Sequence, residues 1–478
     1  MNIAVLLDKE LQSGGGFQSA LSYVVLLNKN KSPQYNFIFF TTLKGNIKTL
    51  DKLGIKAELI KISSFDKACG YLRSINRFNK IIRKLRLNRP LKLDRIFKKH
   101  AIDLVYFVSS SSLHLAMENY NYIYTLWDLC HRDHPEFPEV SLRGEFELRE
   151  NLFCKALLKA VQVIVDSELG KENVIRRYGV DIERVSVLPF VPSESVLISD
   201  KNYSENFIDI KKKYKVDGDY IYYPAQFWSH KNHIYILEGL NILKKKYQKT
   251  LTAIFSGSDK GNLQYILNKA RELGVEKQIK YIGFVENKEL PYLYRQALAL
   301  TMPTYFGPTN VPPIEALIHG CPVLYSDLPG LREQMEGAAL FLDLNDPESL
   351  AKNLLKVISR TDEVDGLVKK GKKIVFGSDT TFSKNLIFLA KNADLLIHES
   401  TFSHKDKENA QRNFHSTTVI AANVAKEAEV KQLILNHFSS RYGVTSKKNK
   451  TDEKDLLIEA QNIFPDTLMA EDFMEYII

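Results

Sequence analysis

At 478 residues, 44% of them apolar and 26% charged, the chain is large enough for two or three domains and too ordinary in composition for a disordered or fibrous protein. Cys69, Cys130, Cys154 and Cys321 share no disulfide or zinc spacing, and no run of about 18 uncharged apolar residues suggests a membrane span. The opening "MNIAVLLDKE" lacks the basic leader and small-residue cleavage site of a secretory signal, so a cytoplasmic protein with reduced thiols is expected.

The formal charge of +9 is concentrated: between Arg73 and Lys99 stand eleven Lys and Arg against one acid, Asp94. A solvated helical face explains such a run. The sharper expectation is peripheral contact with the inner membrane surface, because basic clusters gain about 1 kcal/mol per charge near anionic lipid.

Along the chain, "NIAVLL", "YNFIFFTT", "DLVYFVS", "YIYTLWD" and "VQVIVDS" read as buried parallel strands alternating with helices. Between the first strand and helix lies "SGGGFQSAL". Its Gly14, Gly15 and Gly16 form neither a dinucleotide fingerprint nor a P-loop, but they allow backbone N–H groups to approach a ligand. A polar stretch, Ser193 to Asp217, reads as a linker. The pattern then restarts with "YIYYPA", "LTAIFSG", "IKYIGF", "LALTMP" and "PVLYS". Two doubly wound α/β sheets are predicted, facing a cleft at the carboxyl ends of their strands. After about Thr361 the register changes again: "KIVFGSDT", "ADLLIHEST", "KQLILNHFSS" and "PDTLMAEDF" are strands, with a helix over Thr418–Glu427.

Two loops of the second sheet carry chemistry. In "PTYFGPTNVPPIEAL", Pro312 and Pro313 suit a first helical turn, and Thr309 or Asn310 can cap it. A helix start of this kind favours a phosphate. Glu315 is expected in that first turn, accepting hydrogen bonds from sugar hydroxyls or merely stabilising its own helix. In "YYPAQFWSHKNHIYILEGL", Lys231 sits at a strand-to-helix junction with Trp228, His230 and His233, placed to neutralise a diphosphate or simply to cover a solvated turn.

Over roughly residues 1–358 these segments resemble the family-4 retaining glycosyltransferases of the GT-B fold. Their signature is E-x7-E, whose later glutamate, holding the donor's ribose, matches Glu315; the earlier one falls on Gly307. The family's phosphate-binding Lys is kept as Lys231, while its Arg five residues earlier becomes Gln226. These departures resemble a subgroup with "FGPTN" in place of "EGFG".

The resemblance implies a Rossmann-like acceptor-side domain over 1–195 and a nucleotide-sugar donor domain over 205–360. Donor contacts are then expected from Gly15, Gly16, Gln226, Lys231, Thr309, Asn310 and Glu315. In "TLWDLCHRDHPEFPEV", Asp128 and His131 end a strand, and His131 is expected to touch the reacting sugar, or else to pack at the domain interface. The implied reaction is front-face transfer with retention from a nucleotide-diphosphate sugar to a glycan or lipid-linked acceptor, in surface polysaccharide synthesis and without a metal cofactor. A non-catalytic nucleotide-sugar-binding module is an alternative, suggested by Gly307.

The tail, 373–478, resembles the C-terminal part of ribonuclease Z, a metallo-β-lactamase-fold nuclease that trims transfer RNA. That resemblance implies Asp379 and His437 as metal ligands, His415 as a phosphate contact, and His398 with Glu399 as supporting groups. The family's H-x-H-x-D-H motif is not found; in "LCHRDHP" Leu129 replaces its first histidine. The tail is therefore expected to be a partial fold that binds zinc weakly, lacks nuclease activity and self-associates through an uncovered sheet edge. A zinc-dependent transfer RNA nuclease is the competing alternative.

Overall fold

The computed structural model describes residues 1–11, 15–29, 34–74, 84, 91–192, 196–198, 200–307, 309–371, 373–442, 453–472, 474 and 476. Gly14 and most of the basic run, residues 75–83 and 85–90, lie outside the described residues. The chain forms two compact units. The first comprises Met1–Val196, Asp209–Ala316 and Cys321–Val364; the second comprises Leu197–Ile208, Leu317–Gly320 and Asp365–Ile478.

The first unit contains two parallel sheets. One is built from β1 (Asn2–Leu7), β2 (Asn36–Thr41), β3 (Ala57–Leu59), β4 (Leu104–Phe107), β5 (Tyr122–Thr125), β6 (Gln162–Val165) and β7 (Val185–Val187). Their order is β3-β2-β1-β4-β5-β6-β7. Along β1, Ala4 and Leu6 enter one core with Phe107 and Tyr124, while Ile3, Val5 and Leu7 enter another with Phe39 and Tyr106. A strand buried on both faces must be apolar throughout, which is why "NIAVLL" does not alternate.

The other sheet contains β8 (Tyr220–Pro224), β9 (Thr252–Ser256), β10 (Ile279–Tyr281), β11 (Ala299–Met302), β12 (Val323–Ser326) and β13 (Leu340–Leu342), in the order β10-β9-β8-β11-β12-β13. In each sheet the chain runs outward over three strands and then returns beside the first. The order therefore reverses between β1 and β4 and between β8 and β11. Loops at the carboxyl ends of such neighbouring strands diverge and leave a crevice. The loops after β8 and β11 are the two singled out above.

Part of the stretch read as a linker is folded. It contains the helices Asp200–Glu205 and Ile210–Tyr214; Asp209 caps the latter by accepting the Lys212 N–H at 2.9 Å, and Ile210 and Val216 are buried.

The second unit carries β14 (Ile374–Gly377), β15 (Leu395–Glu399), β16 (Leu433–Asn436) and β17 (Thr467–Met469), parallel and in sequential order. Its core joins Leu396, Leu433 and Leu435 to Ala421, Ala422 and Ala425 of the helix Thr418–Glu427, small residues that bring helix and sheet close together. At the edge strand β14, Ile374 and Phe376 are exposed. Among the described residues no helix is long and apolar enough to cross a membrane.

Candidate functional site

The loops after β8 and β11 meet at Lys231 and Asn310, 79 residues apart in sequence. The Lys231 Nζ donates to Asn310 Oδ1 at 3.3 Å. Each partner is fixed from behind. Tyr223 Oη donates to the Lys231 carbonyl at 2.7 Å, and Asn232 turns the chain into the helix His233–Tyr247 with φ of 53°. Asn310 Nδ2 donates to Tyr325 Oη at 2.7 Å, while Gln334 accepts the Asn310 N–H at 3.0 Å and donates to its carbonyl. Part of the Lys231 side chain reaches the surface, yet its ammonium is desolvated enough to be pulled down to about 8.

The helix start differs from its expected form. The helix is Val311–Ile318 with no acid in its first turn; Glu315 lies in the second. The two prolines occupy the opening turn, so Glu315 falls one turn further in, where it is buried and accepts from Tyr294 Oη at 2.8 Å. Burial pushes its carboxyl up to about 7. The expected caps are also engaged elsewhere: the Thr309 hydroxyl donates to Asp166, and the Asn310 amide serves Lys231 and Tyr325.

The other expected donor contacts can be placed as well. Gln226 Oε1 accepts from Trp228 Nε1 at 2.9 Å, and Gly15 and Gly16 open the helix Gly15–Lys29. Gly307, where the resembled family has glutamate, has φ of 119°. A side chain there would be strained, so the backbone itself demands the departure.

A cavity of about 320 Å³ adjoins the β11 loop, lined among others by Trp127, Asp128, His134, Asp166, Arg177 and Phe306. Lys231 and Glu315 are not among its lining residues. Among the described residues, three sets of hydrogen bonds join the two sheet domains, beside ring contacts of His134 and Phe137 with Phe306. At the end of β6, Asp166 accepts from Thr309, and burial pushes its carboxyl up to about 7. Glu139 accepts both the backbone N–H of His230, at 2.9 Å, and its ring Nδ1. Burial works to raise Glu139, but these bonds outweigh it and hold it below the usual carboxylate range, while burial pulls His230 down to about 4. Finally, Glu333 accepts the N–H groups of Glu168 and Leu169 at 2.7 and 3.1 Å. Thr309 and His230 were singled out from the sequence; their partners Asp166 and Glu139, and Glu333, were not. The one available signal was an acid directly after the strand "VQVIV".

His131 is placed differently from either expectation. Its ring is wholly buried inside the first sheet domain, packs on Phe146 and Phe153 and approaches Glu150 Oε2 at 3.2 Å. It does not line the cavity; Asp128, Asp133 and His134 of the same loop do. A four-residue helical turn, Cys130–Asp133, points neighbouring side chains in different directions, and the Phe pair captures the imidazole.

In the second unit, Asp379 after β14, His415, and His437 after β16 come together, with one potential ligand atom each within 4.8 Å of the others. Beneath them Glu399, at the end of β15, accepts the backbone N–H groups of Thr380 at 3.2 Å, Thr401 at 2.9 Å and Ser416 at 2.6 Å. His398 does not join the cluster: its buried Nδ1 donates to the Glu399 carbonyl at 2.6 Å.

Residues 205–374 match the family described as glycosyl transferases group 1. Among solved structures, a glycosyltransferase from Rickettsia africae superposes with a TM-score of 0.57 at 16% identity, covering 77% of this chain and 92% of its own. Anabaena HepE in complex with UDP-glucose does so with a TM-score of 0.57 at 17% identity, covering 78% and 93%. A different likeness covers 108 residues, 23% of this chain: 52% identity to the ribonuclease Z of Picosynechococcus sp., over 33% of that protein. The ribonuclease Z of Prochlorococcus marinus is 48% identical over 109 residues, 23% of this chain and 34% of its own length. The chain spans about a third of the length of these curated relatives. It therefore joins a glycosyl transferases group 1 domain, within a GT-B fold, to a ribonuclease Z-like, metallo-β-lactamase-like segment.

Proposed function

We propose that this chain is a retaining glycosyltransferase that moves a sugar from a nucleotide-diphosphate sugar to a glycan or lipid-linked acceptor in surface polysaccharide synthesis. The observation that carries this reading is Lys231, an ammonium drawn into the protein at a sheet's switch point and bonded to a neutral amide oxygen. A desolvated cation gains most from an incoming anion. The group 1 match over 205–374 and the UDP-glucose bound to HepE support a nucleoside diphosphate as that anion.

In this reading the sugar C1–O bond to the diphosphate breaks as the acceptor oxygen bonds C1 from the same face, and the acceptor's proton passes to the departing diphosphate. Lys231 and the helix start at Asn310 stabilise the departing charge, so transfer needs no metal. Glu315 takes the ribose hydroxyls in exchange for Tyr294. Gln226 and Thr309 flank the donor, while the backbone at Gly15 and Gly16 approaches from the facing domain. His131 positions the loop that carries Asp128 and His134. Residues 73–99 lean on the inner membrane surface, and the tail does not process transfer RNA.

A thermal-shift screen against UDP, UDP-glucose and other nucleotide sugars tests the reading, because a ligand of the native state raises the Tm. A bound donor that yields a product with the donor's anomeric configuration, read by NMR, would support it; no nucleotide binding would overturn it. The tail's exposed β14 edge further supports self-association, which deletion of residues 373–478 should weaken in sedimentation.

A further inference from the structure

On His230 the facing sheet domain and both loops of the second sheet converge. It lies in the three-residue turn Ser229–Lys231, directly before Lys231. From the first sheet domain, Glu139 Oε1 accepts its backbone N–H at 2.9 Å and also its ring Nδ1. From the loop after β11, the Tyr305 N–H donates to its carbonyl at 2.8 Å. Its ring lies flat on Phe306, 3.9 Å between centroids, and Phe306 stacks on His134 at 5.5 Å. Phe306 also shares a buried cluster with Cys130 and Val140, against which Phe137 packs. His134, Phe137 and Glu139 belong to one short stretch of the first domain, so that stretch grips the turn and the β11 loop together.

We infer that Glu139 is a positioning residue for sugar transfer: by holding His230 from the facing domain, it sets Lys231 in place for the departing diphosphate. This rests on the role of Lys231 proposed above. The protonation states fit it. Glu139 stands below the usual carboxylate range, and burial keeps the His230 ring neutral at pH 7. An ionised carboxylate has no proton to give, so Nδ1 carries the hydrogen and donates. Both donors of His230 then end on one oxygen, which fixes backbone and ring at once.

The link onward to Lys231 is short. The two residues are consecutive, their Cα atoms about 3.8 Å apart. Asn232 then turns the chain with a left-handed φ of 53°, and Tyr223 Oη holds the Lys231 carbonyl. A shift of His230 therefore carries Lys231 with it, and a misplacement of about 1 Å can cost about a hundredfold in rate.

Stability alone is a poor reason for this contact. The Glu139 side chain is 7% exposed, and its Oε2 is buried with no hydrogen-bond partner among the described residues. A carboxylate left half-satisfied is a costly way to join two domains. Glu333, by contrast, is exposed and accepts two N–H groups on the same boundary.

The test measures UDP release from UDP-glucose, UDP affinity by calorimetry, and hydrogen exchange over residues 224–232. Glu139→Ala should lower kcat about 10- to 100-fold, while one UDP per chain still binds with a Kd within about threefold of the parent. A mobile lysine still reaches a ground-state diphosphate, whereas the departing charge needs it preplaced. Exchange at the His230 amide should quicken in the same variant. Glu139→Gln, which keeps an oxygen for His230, should recover most of the loss. His230→Phe, which keeps the stack on Phe306, should add nothing to Glu139→Ala in the double variant, as expected for one shared bond. Parent-like kcat or unchanged exchange in Glu139→Ala, or an equal loss in Glu139→Gln, would overturn this role and leave the transfer reading standing. A parent that neither binds UDP nor releases it from UDP-glucose would overturn that reading and this inference with it.

Discussion

In the first unit polar groups pair across the two sheet domains: buried Asp166, at the end of β6, with Thr309, the Glu139 carboxylate with His230, and the exposed Glu333 with the N–H groups of Glu168 and Leu169. In the second unit the corresponding groups lie at the surface, Asp379 64% and His437 50% exposed, above one buried carboxylate, Glu399. Both arrangements use the carboxyl ends of parallel strands, where loops diverge and backbone N–H groups are available. The difference lies in desolvation. Where the sheet domains meet, burial raises Asp166 and lowers Lys231, so binding energy is stored in charge without a full partner, while Glu139 is held down by its bonds to His230. Where the ends are open, orientation by hydrogen bonds does the comparable task.

The largest expected effect tests the open cluster's foundation. Glu399→Leu leaves three backbone N–H groups without their acceptor, and each such loss costs about 1–3 kcal/mol. The tail should lose about 3 kcal/mol or more, with hydrogen exchange accelerating over β14 to β16 and not in the first unit. Uniform destabilisation, or none, would break the contrast.

Next comes the covered cluster. Lys231→Ala should lower kcat about a hundredfold or more with the fold intact, the scale of losing one preorganised charge. Glu315→Ala should instead raise the donor Kd, because a ribose contact acts equally in ground and transition states. Steady-state kinetics on both variants separate the two roles, and unchanged kcat and KM in the lysine variant would remove it from the mechanism.

The pH dependence is smaller and its sign follows from burial. Lys231, lowered to about 8, is charged below that pH and loses its proton above it, so donor affinity should be flat at acid pH and fall as pH rises past 8. Calorimetric donor titrations should show this slope in the parent and not in Lys231→Met. Asp166 and Glu315, raised to about 7, contribute stability that is fully present below their unfolded values and lost as pH rises through 7. Asp166→Asn should therefore reduce the drop in Tm between pH 5 and pH 8. The smallest effect concerns metal: transfer should survive EDTA unchanged. Transfer lost to EDTA and restored by magnesium would assign leaving-group neutralisation to an ion instead.

Much of this architecture is written in local composition. Central strands such as β1, β8 and β11 are contiguous apolar runs because both their faces are buried, and helices such as Thr418–Glu427 repeat apolar residues at helical spacing. The three-residue edge strands β3, β7 and β13 escaped notice, whereas the equally short β10 and β17 were legible from the runs "IKYIGF" and "PDTLMAEDF" around them. The loops after β8 and β11 were legible as ligand loops from their prolines, glycine and lysine. Side-chain direction was not. Whether His131 or His134 faces the cavity depends on Phe146 and Phe153, and whether Glu315 meets solvent depends on Tyr294. Asp166 finds Thr309 across 143 residues, and Lys231 finds Asn310 across 79. Apolar periodicity is a local consequence of burial and survives in one dimension; the pairing of polar groups belongs to the approach of distant loops, which tertiary packing alone decides.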